Sequence, residues 1–192
     1  GWTMFAMSLT TSSKSLSSSI NLFQFARVPK TVFATSGTLT NAVLALISLS
    51  SLIPFYFIND LPITASLLLV PIWLMALSFT GWGIGLLLAP IACKVPDVLN
   101  LINFLVRAGF FLSPVMWTYD MFNSRFGEGW HAVVAHMNPT VIPITGMRDA
   151  VLGEPSMIPT YAYVMCFSIA LLGYILGSIV FERKAHRAVV NV

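Results

Sequence analysis

The sequence predicts an all-α integral membrane protein, and three observations lead to that fold class. The 192 residues are 57% hydrophobic and only 9% charged, with a mean hydropathy of +0.84. Apolar runs recur at about the twenty residues that a helix needs to cross a hydrocarbon core of roughly 30 Å. The basic residues stand singly at the ends of these runs, which indicates membrane topology rather than a nucleic-acid-binding face.

The amino-terminal part predicts the end of a partial span and a turn. Residues 1–25 begin apolar and become rich in serine around Lys14, which is typical of a helix that leaves the membrane and continues into the interface. The sequence ARVPK (26–30) follows, and its Pro29 interrupts a helix between two basic residues. We expect a short basic turn there.

Four complete spans are predicted next. One of them contains GWGIG, whose glycines could suggest a phosphate-binding loop, but no strand precedes them, so close helix packing is the better interpretation. The predicted spans are 31–58, 63–90, 98–118 and 161–181.

The positions of the basic residues predict an orientation. If the spans alternate, only Arg125 and Arg148 lie on one side, and the positive-inside rule makes that side external. The turn at 26–30 and the tail at 182–192 are then cytoplasmic. The basic residues on their side are Lys14, Arg27, Lys30, Lys94, Arg183, Lys184 and Arg187.

The external segment, 119–160, predicts two short helices. Residues 129–138 place apolar side chains at helical spacing, and residues 138–153 resume an apolar pattern that Gly153 closes. Each piece is too short to span a bilayer. We therefore expect both to lie at the outer face or to dip into it.

Sites for enzymatic chemistry are sparse in this sequence. His131 and His136 are five residues apart, which is not the i, i+4 spacing of two ligands on one helical face, so we interpret them as ordinary interfacial residues and expect no metal site. The serines between residues 8 and 19 have no nearby histidine or carboxylate that would activate them. The P-loop pattern GxxxxGK[ST] is absent, so the chain does not bind ATP through that motif.

Arg107 is the strongest local signal. It lies about 15 Å along a helix from Asp97, near the bilayer midplane, where a charge costs at least about 2.5 kcal/mol. It could bond carbonyls between helices, line a transport path, or extend towards the interface. At helical spacing it belongs to a stripe of amide, aromatic and guanidinium groups: Asn100, Asn103, Phe104, Arg107, Phe110 and Phe111.

Trp117 follows this stripe near the outer surface. The residue fits an aromatic belt at the membrane interface, as does Tyr119. Aromatic and amide side chains also stack on and hydrogen-bond to sugars, so Trp117 could instead extend the path.

The order of these features resembles the membrane subunit of ABC-2 type exporters, in the branch that exports O antigen, capsule or teichoic acid. The segments that carry the resemblance cover nearly the whole chain. They are GWTMF at the start, NLFQFARVPK, FFLSPVMW at 110–117, MNPTVIPITGMRDAVLG at 137–153 and VFERKAHR near the end.

The resemblance implies a type V exporter fold with one partial and four complete transmembrane helices and two short outer gate helices, further helices lying upstream. It implies a multi-pass protein of a bacterial or archaeal inner (plasma) membrane. The partners would be a second copy, an ATPase subunit that holds ATP and Mg²⁺, and a lipid-linked glycan, with no nucleic acid.

The resemblance also implies roles for individual residues. The path would run along the 98–118 helix, through the stripe and Trp117. The ATPase would dock at the turn formed by Arg27, Val28, Pro29 and Lys30. The external gate would include Trp130, Asn138, Pro139, Arg148 and Asp149.

Two alternative functions remain. An exporter of a drug or another lipid would need fewer polar and aromatic groups along 98–118. A membrane-embedded transferase would need an acid, base or metal cluster at a membrane face, and the visible sequence offers none.

Overall fold

The computed structural model describes residues 1–18, 31–59, 63–126, 135–154 and 158–190, and its regular secondary structure in these ranges is helical. A 3₁₀ turn, Leu49–Ser51, joins the second and third helices, and another, Ala65–Leu69, precedes the fourth. The helices are α1 (Trp2–Ser18), α2 (Thr31–Ser48), α3 (Leu52–Ile58), α4 (Val70–Lys94), α5 (Asp97–Leu112), α6 (Tyr119–Phe126), α7 (Val141–Leu152) and α8 (Thr160–Val190).

Three segments of the described chain are long and apolar enough to cross a membrane: Ala34–Ile58, Ala65–Lys94 and Thr160–Lys184. The described residues confirm the predicted all-helical fold, and the length and composition of these three segments indicate a membrane protein. Helix α5 has 16 residues and is shorter than the predicted 98–118 span. It ends at Leu112 because Ser113 is extended, with ψ 155°, as the residue before a proline usually is.

Helix α4 packs between α1 and α8, and the glycines of GWGIG make both contacts possible. A Cβ atom on Gly83 would lie 2.4 Å from the carbonyl carbon of Gly173 in α8. A Cβ atom on Gly81 would lie 2.6 Å from the carbonyl oxygen of Phe5, and one on Gly85 would lie 2.6 Å from Cβ of Ser12. The predicted packing role of these glycines is therefore confirmed.

The serine-rich part of α1 packs against the neighbouring helices. The hydroxyl of Ser12 lies 3.2 Å from that of Thr38 in α2, and Ser13 donates to the carbonyl of Leu9 at 2.7 Å. Small side chains bring α1 close to its neighbours, and hydrogen bonds satisfy the hydroxyls of Ser12 and Ser13, while that of Ser8 has no partner among the described residues. The buried serines of α1 are Ser8, Ser12, Ser13 and Ser15.

One end of the bundle gathers the carboxyl ends of α1, α4 and α8 with the start of α2. Leu16, Ala34 and Phe181 belong to one buried cluster there. Glu182 of α8 accepts hydrogen bonds from the backbone N–H and the hydroxyl of Thr31, at 3.3 and 2.9 Å. Helix α2 therefore begins at the same end of the bundle as Glu182, Arg183 and Lys184 of α8.

Candidate functional site

Helix α5 is attached to the bundle along one narrow edge. Ile102 is 4% exposed and packs with Phe5 of α1, Leu77 of α4 and Ile144 of α7. The residues on the opposite side of the helix are exposed, because they lie about half a turn away from Ile102. These residues, called here the outward stripe, are Asn100, Phe104, Arg107 and Phe111.

Arg107 is exposed on this outward stripe and makes no hydrogen bond or ion pair with the described residues. The interpretation in which it bonds carbonyls between helices is therefore not met within this part of the chain. Phe104 and Phe111, beside it, are 65% and 66% exposed. The charge and the two rings form a surface that the described helices leave uncovered.

Two members of the predicted stripe lie elsewhere on α5. Phe110 is half-buried, and its ring meets Trp2 of α1 edge-on with centroids 6.3 Å apart. Asn103 is also half-buried, at the margin of the packed edge. Four of the six predicted residues thus share one open face, while Phe110 contributes to the joint between α1 and α5.

The carboxyl end of α5 is fixed by polar contacts. Ser113 donates its backbone N–H to the carbonyl of Gly109 and its hydroxyl to the carbonyl of Phe110, both at 2.9 Å. Asn138 donates its side-chain amide to the carbonyl of Leu112 at 3.5 Å. Carbonyls that a helix end leaves without partners are satisfied here by side chains.

Arg148 of α7 completes this arrangement. Its guanidinium donates one hydrogen bond to the carbonyl of Trp117 at 3.1 Å and another to the carbonyl of Pro114. The positive group also lies close to the negative end of the α5 dipole. We call these contacts of Asn138 and Arg148 with residues 112–117 the α5–α7 junction.

The junction is held by a firmly packed helix. A Cβ atom on Gly146 would lie 2.6 Å from the ring of Trp73, so α7 sits directly on α4.

Helix α7 ends at Gly153, whose φ of 72° is left-handed, as the sequence predicts for this residue. Asp149 accepts the backbone N–H of Glu154 with its carbonyl at 3.1 Å. Pro139 precedes α7 and lines a pocket beside α5.

His136 is buried among the helices of the outer segment. Its ring is 1% exposed and stacks on Tyr119 with an interplanar angle of 12° and centroids 5.4 Å apart. Its Nδ1 lies 3.3 Å from the hydroxyl of Tyr161 in α8, and its Nε2 has no hydrogen-bond partner among the described residues. The imidazole therefore joins α6 to the start of α8.

Acidification is expected to weaken this contact. Burial lowers the pKa of His136, while the unfolded chain keeps a value of about 6.5. As the pH falls below that value the unfolded state binds a proton that the folded state resists, so the free energy of unfolding decreases. Thermal midpoints between pH 7.5 and 5 should fall more steeply for the native protein than for His136→Phe, and equal slopes would contradict the prediction.

Helix α6 builds an aromatic surface that sequence reasoning missed. The ring of Phe122 lies 5.4 Å from that of Trp117 and 4.9 Å from that of Phe126. A pocket of about 370 Å³ forms between these rings and the end of α5. The spacing of the aromatic residues in WTYDMFNSRF was the available signal. The residues lining this aromatic pocket are Leu112, Trp117, Met121, Phe122, Arg125 and Phe126.

Several predicted positions lie outside the described residues. They are the ATPase-docking residues Arg27, Val28, Pro29 and Lys30 and the gate residue Trp130. In the described ranges, no three His, Cys, Asp or Glu side chains are grouped closely enough to hold a metal ion.

No family model matches the chain, and no curated protein matches it either.

Proposed function

We propose that this chain is the membrane-spanning permease subunit of an ATP-driven ABC-2 exporter that moves a lipid-linked polysaccharide, such as an O antigen, a capsule or a teichoic acid, across an inner membrane. The observation that carries the proposal is the open face of α5. A charge and two aromatic rings lie there on a largely apolar helix, which we place in the membrane, without any covering element among the described residues. Intramembrane arginines usually face a protein interior or a wet cavity.

The chemistry of this face suits a glycan. Phe104 and Phe111 offer ring faces for sugars, and Asn100 and Arg107 offer hydrogen-bond donors. A second copy of the chain opposite this face would enclose a path between two such stripes. Helix α7 would act as a gate at the outer end, since Asn138 bonds the last residue of α5 and Arg148 bonds the segment that directly follows it.

ATP hydrolysis would take place in a separate subunit docked at residues 26–30. Helix α2 begins directly after that segment, and its described contacts with α1 include the Ser12 to Thr38 and Asn41 to Thr11 hydrogen bonds. A push on the turn would therefore act on α2 first. A rigid-body movement of one copy against the other could then widen the path.

Reconstitution tests the proposal. The full-length protein is purified from its native membrane with any bound ATPase and placed in vesicles that contain lipid-linked glycan from the same cells. We expect ATP-dependent delivery of glycan and faster ATP hydrolysis when it is present. Delivery of a hydrophobic drug or another lipid without any response to glycan would refute the substrate class, and absence of a bound ATPase would refute the transporter class.

Arg107→Leu tests the outward stripe. Because Arg107 has no partner among the described residues, its loss should leave folding and assembly intact and reduce glycan delivery about tenfold or more. Leu101→Ala, which alters an exposed residue on the neighbouring face of the same helix, is the matched control. Normal delivery by Arg107→Leu would make the arginine a packing or interfacial residue.

A further inference from the structure

We propose that the aromatic pocket at the outer end of α5 is a binding subsite for one sugar ring that carries an acidic group, such as a phosphate or a carboxylate. This inference rests on the proposed function and adds a feature of the substrate, its negative charge. It uses residues that lie outside the predicted path, apart from Trp117.

The first argument is the shape of the pocket. Its volume of about 370 Å³ falls in the range of about 300–1,000 Å³ found for small-molecule sites. Trp117, Phe122 and Phe126 form a continuous row of rings along one wall. Aromatic faces bind the apolar C–H faces of sugar rings, and they keep their shape because an aromatic side chain has few rotatable bonds.

The second argument is charge. Arg125 lines the pocket, is exposed, and makes no hydrogen bond or ion pair with the described residues. Asp120, the acidic residue of the same helix, does not line the pocket. A guanidinium beside aromatic rings forms paired, charge-assisted hydrogen bonds with phosphate and carboxylate groups.

The third argument is continuity with the outward stripe. Leu112 lines the pocket and is the last residue of α5. The helical rise places Leu112 about 7.5 Å along the axis from Arg107, which lies five residues earlier in the outward stripe. A ligand leaving the stripe would therefore pass from one exposed arginine, Arg107, towards another, Arg125, next to aromatic rings, an arrangement that favours an anionic substrate over a neutral one.

Binding to the full-length protein in nanodiscs of neutral phosphatidylcholine tests the subsite. The probes are two soluble oligosaccharides with the same sugars, one carrying a phosphate and one neutral. We expect the phosphorylated probe to bind about five- to tenfold more tightly than the neutral one. Arg125→Gln should remove that difference, Arg125→Lys should restore part of it, and Phe122→Ala should weaken both probes. Ser124→Ala, an exposed change on α6 outside the pocket, should alter neither.

The outcomes separate this inference from the proposed function. Equal affinity for the two probes, or a difference that survives Arg125→Gln, would overturn the acidic subsite while ATP-dependent glycan delivery could still stand. If neither probe binds but nanodiscs with phosphatidylglycerol show Arg125-dependent lipid contact, the pocket holds a lipid headgroup and the subsite is refuted. Failure of delivery with every glycan would refute the proposed function itself.

Discussion

Gly83→Ala and Gly177→Ala are each expected to separate α4 from α8 and to lower the thermal midpoint strongly, whereas Gly173→Ala should leave it unchanged or raise it slightly. A Cβ atom on Gly83 would lie 2.4 Å from the carbonyl carbon of Gly173, and one on Gly177 would lie 2.5 Å from the carbonyl oxygen of Gly83. Both obstacles are backbone atoms. They cannot rotate away as a flexible side chain can, so the helices themselves must move.

The size of the effect follows from overpacking. Extra methyl groups in a packed interior cost about 1–3 kcal/mol, and a backbone obstacle belongs at the upper end. For a chain of this size, 3 kcal/mol corresponds to a decrease of roughly 6–12 °C in the midpoint. Thermal unfolding of the purified full-length protein in detergent, followed by circular dichroism, measures it.

Gly173 supplies the control inside the same motif. Gly173 and Gly177 form a GxxxG pair in α8, and the sequence alone gives both the same packing role. A Cβ atom on Gly173 meets no atom within 4 Å, and alanine favours a helix by up to about 1 kcal/mol over glycine. Equal destabilisation by all three alanine variants would show that α4 and α8 do not meet in this way.

The sequence predicts those features that depend on a local pattern. The apolar runs predict the membrane helices because length and composition are sufficient for that conclusion. The glycines of GWGIG predict close packing, and Gly153 predicts the end of α7, because each depends on residues near in sequence. The helical period also predicts that Asn100, Phe104 and Arg107 share one face of α5.

Features that depend on distant residues could not be predicted in this way. Serine occurs both at membrane surfaces and in tight contacts between helices. The burial of Ser8 and Ser12 therefore depends on where α2 and α4 lie, which the local sequence does not show. His136 is buried because Tyr119 and Tyr161 come from helices on either side of it in sequence. The end of α5 at Leu112 follows from the extended Ser113 before a proline, a signal that the long apolar run conceals.

Arg148→Met is expected to destabilise the outer end of the bundle and to abolish glycan delivery under the proposed function. Methionine keeps an apolar stem of similar length but removes the donors that reach the carbonyls of Pro114 and Trp117. Hydrogen bonds to charged groups contribute about 1.5–3 kcal/mol each, and buried acceptors without a partner carry a further cost. Since Arg148 is only half-buried, we expect the free energy of unfolding to decrease by about 2–3 kcal/mol in total.

Two further variants separate positioning from charge. Arg148→Lys keeps the positive charge, but an ammonium lacks the planar guanidinium that donates to two carbonyls at once. The free energy of unfolding of Arg148→Lys should therefore lie between those of the native protein and Arg148→Met. Arg125→Met removes an exposed arginine without described bonds and should leave the thermal midpoint unchanged.

Transport measurements give the more specific result for Arg148. Under the proposed function, the α5–α7 junction joins the end of the path helix to the gate helix. Arg148→Met should then still assemble with the ATPase and hydrolyse ATP. It should deliver little glycan, because movement of α7 no longer reaches α5. Delivery should recover partly in Arg148→Lys. Normal delivery by Arg148→Met, at a temperature where the variant is folded, would restrict the junction to a role in stability and would place the gate elsewhere in the molecule.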